Sequence, residues 1–488
     1  MPRSPVVVAA VLALVALTAC SSPPPAQPKA PSPDGLAAAV TVDAMTAHLR
    51  RLQEIADANG GSRADGSPGF DASVDYVVKA LRDKGFEVST PEFERLRTVS
   101  PGKPALTVGG RQFQVDQASL LVPTPAGGLS GPVLVPRPAA GCAPSDYAAP
   151  VKGGVAVTDD TGCSVIDKQN AALARGAAAL VVISPGGRNG SPSGLFPRGY
   201  YDGLRIPVAV AGNDAAAPLR RASGTVRVVL DAKTVKVHSR NVLAQTKTGS
   251  THDVVMVGAH LDSVGAPVAG PGINDNGTGV AAVLETALQL GPSPATTNAV
   301  RFAFWGAEED GLAGSLDYVF GLDRDALNDI ALYLNFDMLG SPNAGFFTYD
   351  GDQSGPSPVA RVPAGSDGVE RTLAAYLYLV GKRPADMPLQ QPTDYQSFLT
   401  AGVPIGGMTT GAEGQKTNVQ ARLWGGRAGA PFDPNYRTPR DRLDTVNRDA
   451  LAVMGAGVAF AVATYAMSID GVNGVPPRAK RHRPALAP

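Results

Sequence analysis

The 488-residue chain has no excess of either charge: 43 Lys and Arg balance 43 Asp and Glu. That balance leaves nothing to draw a nucleic acid to its surface. Cysteine is nearly absent, at three residues. Cys20 belongs to an N-terminal segment, so Cys142 and Cys163 remain as an even pair, which in an exported protein is expected to form a disulfide. The apolar run at the N-terminus, residues 6–17, is too short to span a bilayer comfortably. Gly, at 56, and Pro, at 43, are plentiful and imply many loops and at least one linker. An apolar share of 44% is ordinary for a globular protein, and the length allows two or three domains.

Residues 1–20 have the layout of a targeting segment: Arg3, the apolar run, then Leu17-Thr18-Ala19-Cys20. The last four resemble a bacterial lipobox. This implies cleavage before Cys20, lipidation of its thiol and a mature protein anchored on the outer face of the cytoplasmic membrane. An ordinary secretory signal with an incidental Cys is the alternative. Residues 21–35 read as a Pro-rich tether, extended and semi-rigid. At the other end, 471–488 carry Arg478-Ala-Lys-Arg-His-Arg483 and read as a basic, disordered tail.

The body divides into residues 36–117, 118–234 and 235–470. In the first part, Val42, Met45, Leu49, Leu52 and Ile55 recur at three- and four-residue steps and predict an amphipathic helix. A turn-rich loop over 59–69 leads to a second helix over 71–84, stopped by Gly85. The middle part holds short strands over 154–158, 178–183, 206–210 and 226–230 and one helix over 167–175, with no His and no acid/base cluster. Its segment Lys152-Gly-Gly-Val-Ala-Val, followed by Gly162-Cys163-Ser and Lys168-Gln-Asn-Ala-Ala, resembles the protease-associated domain, a non-catalytic insert of exported peptidases. In the last part, strands over 241–245, 254–258, 299–305 and 331–336 alternate with helices over 280–290, 311–318, 367–381 and 448–467. The expected fold class is α/β, a largely parallel sheet with helices on both faces plus a small α/β insert.

Three of those strands end in metal-competent side chains. The first delivers His260, in Gly-Ala-His260-Leu-Asp262-Ser; the next runs into Gly-Ala-Glu308-Glu309-Asp310; the third into Asp337-Met-Leu-Gly. Asp275 stands on irregular backbone just before a helix. Open α/β sheets place ligands at this carboxyl edge. A single acid there is unremarkable, since loop acids usually cap helices or face solvent. Three successive strands with such ends point to a metal centre. A catalytic zinc needs about three protein ligands and an open position, and His260, Asp275 and Asp337 supply them. One of the paired Glu residues is then free to bind a second metal and the other to act as general base. Asp262 is a candidate to hold the second imidazole nitrogen.

These motifs, with Gly272-Ile-Asn-Asp-Asn-Gly-Thr-Gly, Thr393-Asp-Tyr-Gln-Ser-Phe398 and Gly402-Val-Pro-Ile-Gly-Gly, resemble the co-catalytic zinc aminopeptidases of clan MH. The resemblance implies a three-layer α/β/α sandwich on a mixed, mostly parallel sheet, and removal of N-terminal residues from peptide substrates. It implies His260 and Asp337 on a first zinc, Asp275 bridging, Glu309 on a second, and Glu308 as general base.

One departure stands out. The family closes its second zinc site with a His after a Tyr. Here the segment reads Asp433-Pro-Asn435-Tyr436-Arg437-Thr-Pro-Arg440-Asp441, with Arg437 at the His position. His48, His238, His252 and His482 lie elsewhere in the chain. Arginine stays protonated and offers zinc no lone pair. Two carboxylates roughly 4 Å apart with no cation between them repel by about 4 kcal/mol at an effective dielectric of 20. A guanidinium from Arg437 paired with Glu309 would relieve that. The expectation is one zinc, with the second in doubt, and Tyr436 as oxyanion donor. The alternatives are a catalytically inactive lipoprotein that binds peptides or a partner, and a single-zinc enzyme like glutaminyl cyclase. For substrate, Asp394 is a candidate to hold the ammonium group, and Phe398, Met408 and Leu423 to line an apolar pocket.

Overall fold

The computed structural model describes residues 30–484, apart from 149, 151, 356, 357, 359 and 360. The expected targeting segment, Cys20 and most of the tether lie outside the described residues. The first long helix, Val42–Ala58, starts where the Thr41 hydroxyl accepts from the backbone N–H of Ala44, and it buries Met45, Leu49, Leu52 and Ile55. The second, Pro68–Asp83, is capped by Ser67 and buries Val74, Val77, Val78 and Leu81. Both lie against one face of an eight-stranded sheet together with the helices Thr278–Leu290 and Arg448–Met467. The last of these is apolar enough to cross a membrane, yet two-thirds of it is buried inside the protein, so it is core.

In spatial order the sheet runs Val88–Ser89, Val242–Gln245, Asn298–Trp305, Ser250–His260, Ile330–Phe336, Ile405–Thr409, Phe347–Tyr349 and Ala385–Met387. The four strands from Asn298–Trp305 to Ile405–Thr409 are mutually parallel, and antiparallel pairs flank them. The sheet is therefore mixed, with a parallel centre. Ser250–His260 is its middle strand, and Val254 to Ala259 are buried on both faces, as a parallel strand between two helical layers requires. Register then sets the site. His260 pairs with Trp305 and Gly258 with Asn335. Glu308 thus follows His260's neighbour by three residues, and Asp337 comes level with His260 on the other side.

The insert is a closed seven-stranded barrel from Ala105 to Val229, stapled by the Cys142–Cys163 disulfide. Its boundary departs from the expected 118. The strands Ala105–Val108 and Arg111–Gln117 pair with each other, and further with Thr225–Val229 and Val208–Ala211. Both belong to the barrel and not to the peptidase part. A two-stranded ribbon, Glu92–Ser100 with Lys233–Arg240, joins the barrel to the body. Arg95 pins it there, between Asp65 at 2.7 Å and Asp310 at 2.5 Å.

The basic tail is not loose over its described part. Arg481 is buried and donates to the carbonyls of His252 at 2.9 Å and Asn328 at 2.7 Å, and it pairs with Asp253. Arg483 donates to the carbonyls of Ile330, at 2.8 Å, and Gly402. The positive charges that suggested a solvated end instead satisfy backbone carbonyls at the sheet's far edge.

Candidate metal centre and active site

Asp275 sits in the irregular turn Ile273–Gly277 with φ −110° and ψ 90°, just before the helix Thr278–Leu290. The residues around it lock that turn in place. Asn276 donates to the Phe336 carbonyl at 2.9 Å and accepts from Gly279 at 3.0 Å and Met338 at 3.1 Å. A Cβ on Gly279 would lie 2.3 Å from the Phe336 carbonyl oxygen, so only glycine lets helix and strand end approach this closely. Asn274 donates to Asp433 at 2.6 Å. Asp441 accepts from the backbone N–H of Asn274 at 2.7 Å and of Asp275 at 2.9 Å. Asp433 and Asp441 bracket Arg437 in sequence, so the segment carrying Tyr436 and Arg437 is tied to the loop carrying Asp275.

The side chains converge as the strand ends predict. Nε2 of His260 lies 3.3 Å from Asp275 and 3.5 Å from Asp337. His260, Glu308 and Asp337 each place a ligand-capable atom within 4.8 Å of the other two. Glu309 meets Arg437 at 2.5 Å, with the carboxylate buried and the guanidinium half exposed. Arg437 adopts φ 51° and lies over the Tyr436 ring at 5.0 Å. Tyr436, Arg437, Asp275, Glu308 and Asp337 all line one cleft.

Electrostatics show that this cluster is short of positive charge. Glu308 is held well above the ordinary carboxylate range by burial first, then by Asp394 and Asp337, against the pull of His260. Glu309 is pushed up to about 8 by burial and Asp275, despite Arg437. Burial alone would lower His260, yet Glu308 and Asp337 hold its imidazole well above the usual value. Two oxygens, Asp337 Oδ1 and Glu309 Oε1, are buried with no hydrogen-bond partner. Orphaned carboxylate oxygens facing an imidazole are a donor set that fits zinc. Burial and Asp275 raise Tyr436 far above its usual value, so its hydroxyl stays protonated at neutral pH.

Asp262 meets the second imidazole nitrogen twice: His260 Nδ1 bonds the Asp262 backbone carbonyl at 3.1 Å and lies 3.6 Å from its carboxylate, which helps to raise the imidazole. The carboxylate accepts from the backbone N–H groups of Glu308 at 3.1 Å and Glu309 at 3.2 Å, fixing the turn that carries both acids. Asp394 is fully buried just before the helix Tyr395–Thr400, near enough to the cluster to raise Glu308, and burial raises Asp394 itself to about 7. The proposed specificity residues lie elsewhere. Phe398 is stacked on Tyr333 at 3.8 Å in the core, Met408 is fully buried, and Leu423 is exposed on the helix Asn418–Trp424. Tyr349, Met387, Pro388 and Pro392 supply the apolar side of the cleft instead.

The sequence reading passed over Arg63. It is fully buried and donates to the carbonyls of Leu261, Pro271 and Gly272 at 2.5, 2.7 and 2.6 Å. This buckles the loop after His260 onto the loop before Asp275. A single Arg in a turn-rich stretch gives no such signal.

Comparison with known proteins agrees with this geometry. Residues 241–462 match the model for peptidase family M28, and residues 129–219 match the PA domain. The chain is 51% identical to a probable lipoprotein aminopeptidase, LpqL, of Mycobacterium tuberculosis, over 92% of this chain and 89% of that protein. The chain belongs to peptidase family M28. It is thus a zinc metallopeptidase with an inserted PA domain. An aminopeptidase of Pseudomonas aeruginosa is 36% identical over 91% of this chain and 84% of its own length. Among solved structures, an aminopeptidase from Aneurinibacillus sp. strain AM-1 shares the fold at a TM-score of 0.52 and 22% identity, covering 91% of this chain and 98% of that one.

Proposed function

We propose that this zinc aminopeptidase works with one zinc, held by His260, Asp275 and Asp337, and that Arg437 takes the place of a second. The observation that carries the reading is the 2.5 Å pair between Arg437 and Glu309. It puts a permanent cation where a second metal ligand would otherwise need one. Zinc, when bound, supplies the Lewis acidity that activates water and polarises the scissile carbonyl. Glu308 takes the proton of the attacking water and passes it to the leaving amine, a role suited to a buried carboxylate within 4.8 Å of His260 and Asp337. Tyr436, kept protonated, donates to the oxygen that gains charge. Asp262 holds Glu308 and Glu309 by their backbone N–H groups, and Arg437 sets its charge against the burial and the Asp275 repulsion that oppose ionisation of Glu309. The substrates are peptides with a free N-terminus, and Tyr349, Met387, Pro388 and Pro392 favour an apolar first side chain.

The second part of the proposal is the address: export, cleavage before Cys20 and a lipid anchor on the outer face of the cytoplasmic membrane. Leu17-Thr-Ala-Cys20 supports it, as does the name of the mycobacterial relative. To test the activity, a leucyl chromogenic amide and its N-acetylated counterpart are offered to the purified protein. Cleavage of the free amine alone is expected. Equal cleavage of both would defeat the aminopeptidase reading, and cleavage of neither would favour an inactive peptide-binding protein.

A further inference from the structure

A second group of acids meets at the outer edge of the sheet. Strand Phe347–Tyr349 pairs with Ala385–Met387, Thr348 opposite Asp386, and leaves as Asp350-Gly-Asp352-Gln-Ser354-Gly355. Asp350, Glu370 of the helix Ser366–Leu379, and Asp386 each bring a carboxylate oxygen within 4.8 Å of the other two. Asp350 is fully buried, yet its Oδ1 has no hydrogen-bond partner, while Oδ2 accepts from the Gly355 N–H at 3.2 Å. Among the described residues no Lys or Arg pairs with any of the three. Arg371, whose charge reaches Asp352, is 3.2 Å from Asp367. Glu370 is raised to about 7 by burial, with Asp352 and Asp386 adding to it. That holds although its Oε2 accepts from the Gly351 and Asp352 N–H groups, both at 2.9 Å. A buried carboxylate oxygen with no donor, surrounded by further carboxylates, is a cation site in waiting.

We propose that Asp350, Glu370 and Asp386 bind a calcium ion. The donors are all oxygen, with no His or Cys, which selects a hard cation over zinc. Two oxygens on opposite sides of one calcium stand roughly 5 Å apart, and the three carboxylate oxygens, all within 4.8 Å of one another, are close enough to share one ion. The loop adds an Asp at its first and third positions, Ser354 at the fifth and Gly355 at the sixth. That is the opening half of a calcium-loop spacing. Its twelfth position, Arg361, is no ligand, so Glu370 and Asp386 close the site from outside the loop. Such an ion would clamp two edge strands whose last residues, Tyr349 and Met387, line the active cleft.

Equilibrium dialysis of the zinc-loaded, full-length protein against about 1 mM free calcium tests this, a concentration suited to extracellular calcium modules. One calcium per chain is expected beyond the zinc, undiminished by an equal concentration of magnesium. Asp350→Asn and Asp386→Asn are expected to lose it. The wild-type melting temperature should rise with calcium, while Asp386→Asn should not respond. Asp386 is exposed, so without calcium this variant should melt as the wild type does and keep its zinc and its leucyl-amide activity. Failure of the wild type to retain calcium, or equal retention by Asp386→Asn, overturns the proposal.

Discussion

Glu308→Gln is expected to lower kcat on an unblocked aminoacyl reporter by roughly 10²–10⁴-fold, the usual worth of a positioned general base. Zinc content should not change, because the proposed ligands are His260, Asp275 and Asp337. The substitution keeps the side chain's size and removes only its ability to accept a proton. Glu308 is buried, its N–H is held by Asp262, and its carboxylate stands within 4.8 Å of His260 and Asp337. These conditions hold a carboxylate in place where a water on the proposed zinc would meet it. KM should stay within a few-fold, since Glu308 has no proposed part in ground-state binding. Retention of most of kcat would remove Glu308 from the mechanism, whatever the metal does. Loss of zinc along with activity would recast Glu308 as a ligand, a role its place within 4.8 Å of His260 and Asp337 allows.

Arg437→His is expected to raise zinc content from one to two per chain. The position suits the change: φ is 51°, and His is one of the residues enriched in that left-handed region. A neutral imidazole there offers the lone pair that arginine lacks. With Asp275 and Glu309 it completes a three-ligand set around the place the guanidinium leaves. Arg437→Ala is the informative contrast. It removes the guanidinium 2.5 Å from Glu309 without supplying a ligand, so Glu309 should become harder to ionise and the zinc content should stay at one. If Arg437→His binds no extra zinc, Arg437 is not a stand-in for metal charge.

Much of this site could be read before any coordinates existed, for a plain geometric reason. Buried parallel strands are continuous apolar runs, and their ends fall at one edge, so His260, Glu308 and Asp337 were placed by pattern alone. Asp275 was legible as an acid between glycines at a helix start. Long-range contacts escaped. Arg63 reaches Leu261 and Gly272 across some two hundred residues, and Asp441 holds Asp275 from the other end of the domain. Asp262 sits two residues from His260 and meets its ring, but its carboxylate also holds the next strand's loop, which spacing cannot show. Asp394 reads from its motif equally as an ammonium-holding acid and as a capping or loop acid, and its burial beside the cluster is not visible there. Phe398 and Met408 followed the default for apolar residues and went to the core. The barrel's first two strands were given to the wrong domain because their partners lie about a hundred residues downstream.

Anomalous diffraction at the zinc edge, on crystals of the unmodified protein, tests the central claim most directly. One strong peak is predicted, within bonding distance of His260, Asp275 and Asp337, with the Arg437 guanidinium resting on Glu309. Two peaks of similar height, one of them touching Glu309, would contradict the account, and so would the lack of any peak beside His260.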